Sequence, residues 1–246
     1  RPDSVRVLVV SKDVWSLRLN SDYRFRNGQL EYLLLQPAEE NLFGSHRRVN
    51  AQFVYRPDTL AFGASLLEPR LAGSRLVAGL SASVIVNQSS GALEGSFGQF
   101  QYGLPLYSSQ QRWSWGAEVS WQREITRSHI GTSLRLYDAK ATPEVDGIPF
   151  VYSTSILSGR YSVTRSFGSK IKRDLTLGVE ADKRLFAAED LSAFHPAAAE
   201  EFRRDKVPRS ETQNGPFVQL HLYNNRFVQM HDVETLGLQE SYVIGP

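Results

Sequence analysis

Five histidines are the side chains best suited to proton transfer here, and they are scattered: His46, His129, His195, His221 and His231. Four of them fall in predicted turns or loops, and His221 falls on a predicted strand, where a solvated polar role outweighs a catalytic one. Serines are abundant, so a Ser–His hydrolytic pair stays open, but no spacing singles one out. The chain has no cysteine, which removes disulfides, thiol nucleophiles and thiolate metal sites. No GxSxG elbow, phosphate-binding loop, HExxH helix or Cys/His metal spacing occurs. Glu39-Glu40 and Asp232/Glu234 read as solvated turn carboxylates. Gly91 to Gly103 lacks the strand–loop–helix context that a phosphate cradle needs, and strand bending explains its glycines. These residue types and spacings therefore predict no enzyme, no metal and no cofactor.

The elements that would position such residues are strands. In Arg112 to Arg123, RWSWGAEVSWQR, one face carries Trp113, Trp115, Ala117, Val119 and Trp121, and the other Ser114, Gly116, Glu118, Ser120 and Gln122. Alternation at period two is the signature of a strand with two unlike faces. The outer tryptophans are eight positions apart, roughly 27 Å along a strand rising about 3.4 Å per residue. Tilted by around 40°, that is about 20 Å of height, near the ~25 Å apolar band that aromatic girdles flank in an outer-membrane barrel.

The pattern repeats along the chain. Trp15, Leu17, Leu19, Tyr23 and Phe25 alternate with Arg18, Asn20, Asp22 and Arg24 over 14–25, and Asn27-Gly28 is a hairpin turn. Further strands are predicted at 29–36, 48–55, 59–67, 75–86, 92–103, 150–167, 173–183 and 216–223, with an eleventh within 227–244. Turns are predicted at 37–45, 56–58, 68–74, 87–91, 104–111 and 168–172. Two long polar connections, 124–149 and 184–214, lie at the same end, the second with a helical turn near 196–201. Long loops on one side and short turns on the other are the asymmetry of an outer-membrane barrel.

Composition agrees. The chain of 246 residues is 41% hydrophobic and 22% charged, with mean hydropathy −0.32. It has no apolar run long enough for a transmembrane helix, but strands that alternate faces average to this hydropathy. A net charge of +2 gives no case for nucleic acid. A soluble barrel would not place Arg48, Glu118, Glu180 and Asp182 on its inward face, because small barrels fill with apolar side chains. The predicted fold is all-β, a transmembrane antiparallel β-barrel of which the chain supplies about ten or eleven strands.

The order of motifs resembles the BamA/TamA superfamily of outer-membrane assembly barrels, the bacterial surface antigen family. Ser4 to Trp15, SVRVLVVSKDVW, is similar to the end of the last periplasmic POTRA domain running into a first barrel strand. Glu40 to Gly44 resembles the family's turn between its second and third strands, with Asn41, Phe43 and Gly44. Leu66 to Ser74, with Pro69, Arg70 and Gly73, resembles the next periplasmic turn, and Leu104-Pro105-Leu106-Tyr107 the one after it. The likeness covers about 1–185 well and the remainder weakly; the family's Arg-Gly-aromatic loop is not in this sequence.

The resemblance implies that 1–11 end a POTRA domain and that 12–246 form the N-terminal part of a sixteen-stranded barrel in the outer membrane of a Gram-negative bacterium. It implies a lateral gate at the first strand, by position Trp15, Leu17, Arg18, Leu19, Asn20, Tyr23 and Phe25. There, unfolded barrel precursors add strands and enter lipid. Outer-membrane lipid, such precursors, and accessory lipoproteins or other assembly subunits are the expected partners, with no cofactor. Trp113, Trp115 and Trp121 would then face lipid, and Arg48, Glu118, Glu180 and Asp182 the lumen. A secretion pore for a partner polypeptide, a passive porin-like channel and a barrel lipase are the alternatives.

Overall fold

The computed structural model describes residues 15–224, 227–231 and 239–243; the predicted POTRA remnant at 1–11 lies outside them. Among the described residues, sixteen strands and one α-helix follow in order. They are β1 (Leu17–Arg26), β2 (Gln29–Leu42), β3 (Arg47–Tyr55), β4 (Thr59–Glu68), β5 (Val77–Asn87), β6 (Leu93–Leu104) and β7 (Trp113–Arg127). Four two-residue strands come next: β8 (His129–Ile130), β9 (Ser133–Leu134), β10 (Leu136–Tyr137) and β11 (Ile148–Pro149). The chain continues through β12 (Val151–Phe167), β13 (Ile171–Ala188), α1 (Pro196–Asp205), β14 (Glu211–Asn224), β15 (Phe227–His231) and β16 (Gln239–Val243).

Ten of the strands form one antiparallel sheet in the order β1-β2-β3-β4-β5-β6-β7-β12-β13-β14. The protein is all-β, and each strand lies beside its predecessor in the sheet, joined by short turns except between β7 and β12 and between β13 and β14. The pair β15–β16 forms a separate ribbon, so the predicted eleventh strand is not an added strand of the large sheet.

The strands overrun several predicted limits. β7 extends to Arg127, and β13 to Ala188, past the predicted Lys183. Pro37 to Leu42, expected as a turn, continues β2, and the turn is confined to 43–46. Pro37 leaves its mark on the ladder: the β2–β3 pairing passes from Leu35↔Phe53 to Ala38↔Asn50 in unchanged register, omitting the two pairs between. Proline has no N–H to give to β3 there.

Three of the short turns share one construction. Asn27-Gly28, Phe43-Gly44 and Ala72-Gly73 all have positive φ at both positions (50° and 77°, 53° and 69°, 50° and 76°). This is the type I′ geometry that matches strand twist, and a glycine supplies its second position without a Cβ penalty. In Leu42-Phe43-Gly44-Ser45 and Leu71-Ala72-Gly73-Ser74 the serine hydroxyl also donates to the leucine carbonyl three residues back, at 2.6 Å in both.

Candidate functional site

Register divides the sheet into two chemically opposite faces. Along one row of facing residues run Leu66, Leu80, Phe100, Val119, and further along the sheet Tyr161, Val179 and Pro216. The adjacent row on the opposite face runs Ser65, Ser81, Gln99, Ser120, Ser158, Asp182 and Gln213. The apolar face is the open one: Val218 is 70%, Leu220 63%, Val179 56% and Leu177 54% exposed. On β5, Gly79, Ser83 and Ile85 of the polar face are buried, while Leu80, Ala82 and Val84 between them are exposed. Burial confined to the polar side of a single layer means that the sheet curls toward its polar face.

Arg48, Glu118, Glu180 and Asp182 all lie on that polar face. Side chains bond across it, Ser158 to Asp182, Thr126 to Thr154 and Thr164 to Thr176, each at 2.7 Å. Arg160 faces Glu118 on one side and Glu180 on the other, and its guanidinium lies 4.1 Å from the centre of the Phe217 ring. Arg48 reaches Glu40 at 3.0 Å.

Trp113, Trp115 and Trp121 lie on the apolar face with Phe100 and Tyr102 beside them. Trp113 is stacked by Arg165 at 4.6 Å, and Trp115 meets the Tyr102 ring edge-on at 5.3 Å. On β13 the outward row between Arg173 and Lys183 is Leu175, Leu177, Val179 and Ala181.

β1 closes the strand order at one side, with β2 as its strand partner among the described residues. Leu17, Leu19, Tyr23 and Phe25 fall on the apolar face, Arg18 and Asn20 on the polar one. Trp15 is exposed but precedes the strand, which begins at Leu17; the predicted gate strand is displaced by that much. The carbonyl of Ser16 accepts from the N–H of Glu40 at 2.9 Å, so even-numbered residues of β1 turn their backbone groups to β2. The odd-numbered Leu17, Leu19, Ser21 and Tyr23 turn theirs to the open side.

The turn residues gather at the opposite end of the strands from the long connections. Asn41 accepts from the N–H of His46 at 2.8 Å through its side chain. Phe43 stands 91% exposed at the tip. The N–H of Arg70 bonds to Glu68, which also pairs with Arg47. Gly73 fills a type I′ position, and Pro105 follows β6 directly.

The two long connections do not form polar loops. They pack against each other around Ile148 and Phe202, both wholly buried, with Ala139, Leu191, Ala198 and Ala199. Helix α1 starts on Pro196, with His195 accepting from the N–H of Ala197 at 3.2 Å. From α1, the Glu201 carboxylate accepts from the hydroxyl of Tyr137 and from the N–H groups of Lys140 and Ala141, at 2.9 and 2.8 Å. These donors hold Glu201 below the usual carboxylate range, and Glu201 pushes the Tyr137 phenol up to about 12. Glu201, Ile148 and Phe202 were not foreseeable from motif spacing. The legible signal was the short alanine-rich run PAAAEEF behind a proline.

Compared with models of known families, with curated proteins and with solved structures, the chain matches none.

Proposed function

We propose that this chain is part of an outer-membrane β-barrel, similar in kind to the BamA/TamA superfamily, that inserts barrel precursors at its first strand. One observation carries the reading: the sheet is reversed in polarity relative to a soluble one. Its broad face toward solvent is apolar, and its sheltered face is lined mostly by Ser, Thr, Gln and charged side chains, with one small apolar cluster around Val54, Ala61 and Ile85. Exposed apolar patches of this extent belong against lipid or protein, and a polar interior suits a membrane barrel. The cations Arg173 and Lys183 bracket the apolar row of β13 ten positions apart, about 34 Å along the strand and about 26 Å of height at a 40° tilt, near the ~25 Å band of such barrels.

The second half of the reading rests on β1. Its outward-turned backbone groups offer a template for strand addition, and its apolar side chains continue the surface that would meet lipid. A precursor pairing there would satisfy its own backbone groups while entering hydrocarbon, where each unsatisfied group costs several kcal/mol. No bond is made or broken.

The test uses the full parent protein in liposomes with an urea-unfolded eight-stranded barrel as client. Single cysteines placed along 17–25, in a chain that has none of its own, are joined to cysteines on the client's terminal strand. Cross-links to β1 together with faster client folding support insertion. Liposomes that pass small solutes but neither speed folding nor cross-link would leave a channel and remove the insertase.

A further inference from the structure

We propose that the connection between β7 and β12 is a strap whose tip holds the β1–β2 hairpin in place, with His129 and Thr132 as positioning residues for the β1 edge. Its consequence for client insertion rests on the reading of β1 given above; the strap itself does not.

The strap is rooted at the end of β7. Arg127 forms a forked pair with Glu94 at 2.6 and 2.7 Å, and Asn87 donates to the same carboxylate at 2.8 Å. Arg127 also approaches Asp58 of the β3–β4 turn at 4.0 Å. Two residues on, His129 Nε2 lies 2.5 Å from Asp58 Oδ2; a carboxylate only accepts, so that ring nitrogen carries the proton. The β8–β9 hairpin then projects, and at its tip Thr132 donates to the side-chain oxygen of Gln29 at 2.7 Å, 103 residues away in sequence. Gln29 is the first residue after the β1–β2 turn. The other end of the connection is fixed by Ile148 and by the Glu201 bonds. One continuous set of contacts therefore runs from α1 to the hairpin that carries β1.

What lies between the strap and the hairpin makes these contacts matter. It is a cavity of about 380 Å³, lined by Arg24, Tyr32, Arg56, Glu124, His129 and Gly131 among others, not a packed apolar seam. The hairpin is joined to the sheet by the β2–β3 ladder, and Tyr32 and Leu34 of β2 pack against Val54, Ala61 and Ile85. The strap adds polar contacts at the turn, beside β1, whose strand partner among the described residues is β2. Local opening of β1 next to the turn breaks its pairs with β2 there together with the strap's hydrogen bond to Gln29.

The experiment is hydrogen exchange on the full parent protein in lipid nanodiscs. Thr132→Ala and His129→Ala should each speed amide exchange in 17–28 by about fivefold, the value of one net hydrogen bond, with exchange in 151–188 unchanged. Thr132→Ser should restore the slow rate. A short bismaleimide joining Q29C to T132C should slow exchange in 17–28 below that of the natural protein. Unchanged exchange in 17–28, or equal acceleration across β12 and β13, overturns the strap. If the cross-link slows exchange but leaves client folding unaffected, the strap stands and β1 is not the working edge.

Discussion

Trp121 lies against Gly98 across the β6–β7 pair, so close that a Cβ on Gly98 would come within 2.5 Å of the indole ring. The same Cβ would meet the carbonyl oxygen of Ser81, at 2.3 Å. Glycine there lets the indole lie down along the apolar face. Gly98→Val should destabilise the protein by about 1–3 kcal/mol, the usual cost of overpacking, read as a lower urea midpoint in detergent. Gly116, on the polar face, has open space where its Cβ would be. Gly116→Ala should stay within about 0.5 kcal/mol of the natural protein.

The two faces predict opposite labelling. Cysteines at Leu177 and Leu220, on the apolar face, should resist a charged maleimide when the protein sits in lipid. Cysteines at Thr176 and Gln219, one step away on the polar face, should react. A shift of one residue reverses a strand's faces, so this readout is sharp. Equal labelling of both sets would place water on both sides of the sheet and remove the membrane.

What could be read from the sequence was local. Period-two alternation located all ten strands of the large sheet and put Trp113, Glu118 and Asp182 on their faces, because a strand's faces depend only on parity. Proline usually ends a strand, but at Pro37 the ladder simply skips the missing donor and the strand continues. The packed connections were invisible for a different reason. Ile148 and Phe202 meet across two intervening strands, and no local pattern announces a contact between residues so far apart. The Leu-x-Gly-Ser turns at 42–45 and 71–74 form a repeat that is legible in the sequence itself.

The Glu201 bonds make the packed connections sensitive to pH at both extremes. Glu201 titrates below its ordinary value in the folded state, so its contribution is present at neutral pH and is lost as pH falls through the carboxylate range. Tyr137 titrates above its ordinary value of 10.0, at about 12. Its contribution is present below pH 10 and is lost as pH rises from there toward 12. Proteolysis within 138–147 should accelerate in acid and in strong base, with a plateau between. Glu201→Gln should flatten the acid limb while leaving the sheet's circular dichroism intact. An unchanged acid limb in that variant would assign the sensitivity to another group.

Backbone direction at β1 separates the template role from the strand's own stability. Ser21 turns its N–H to the open side and Asn20 turns its N–H to β2, by the parity that the Ser16–Glu40 bond fixes. Proline removes one N–H at either place. Ser21→Pro leaves the β1–β2 ladder its donors, as an edge strand tolerates, and takes one donor from an incoming strand. Asn20→Pro breaks the ladder itself. The parent protein carrying Ser21→Pro should therefore keep its unfolding free energy from urea titration within about 1 kcal/mol, the scale of one net hydrogen bond, yet fold clients severalfold more slowly. Asn20→Pro should lower the midpoint as well. If Ser21→Pro leaves client folding at the natural rate, strands are not added along this edge, whatever the sheet does in the membrane.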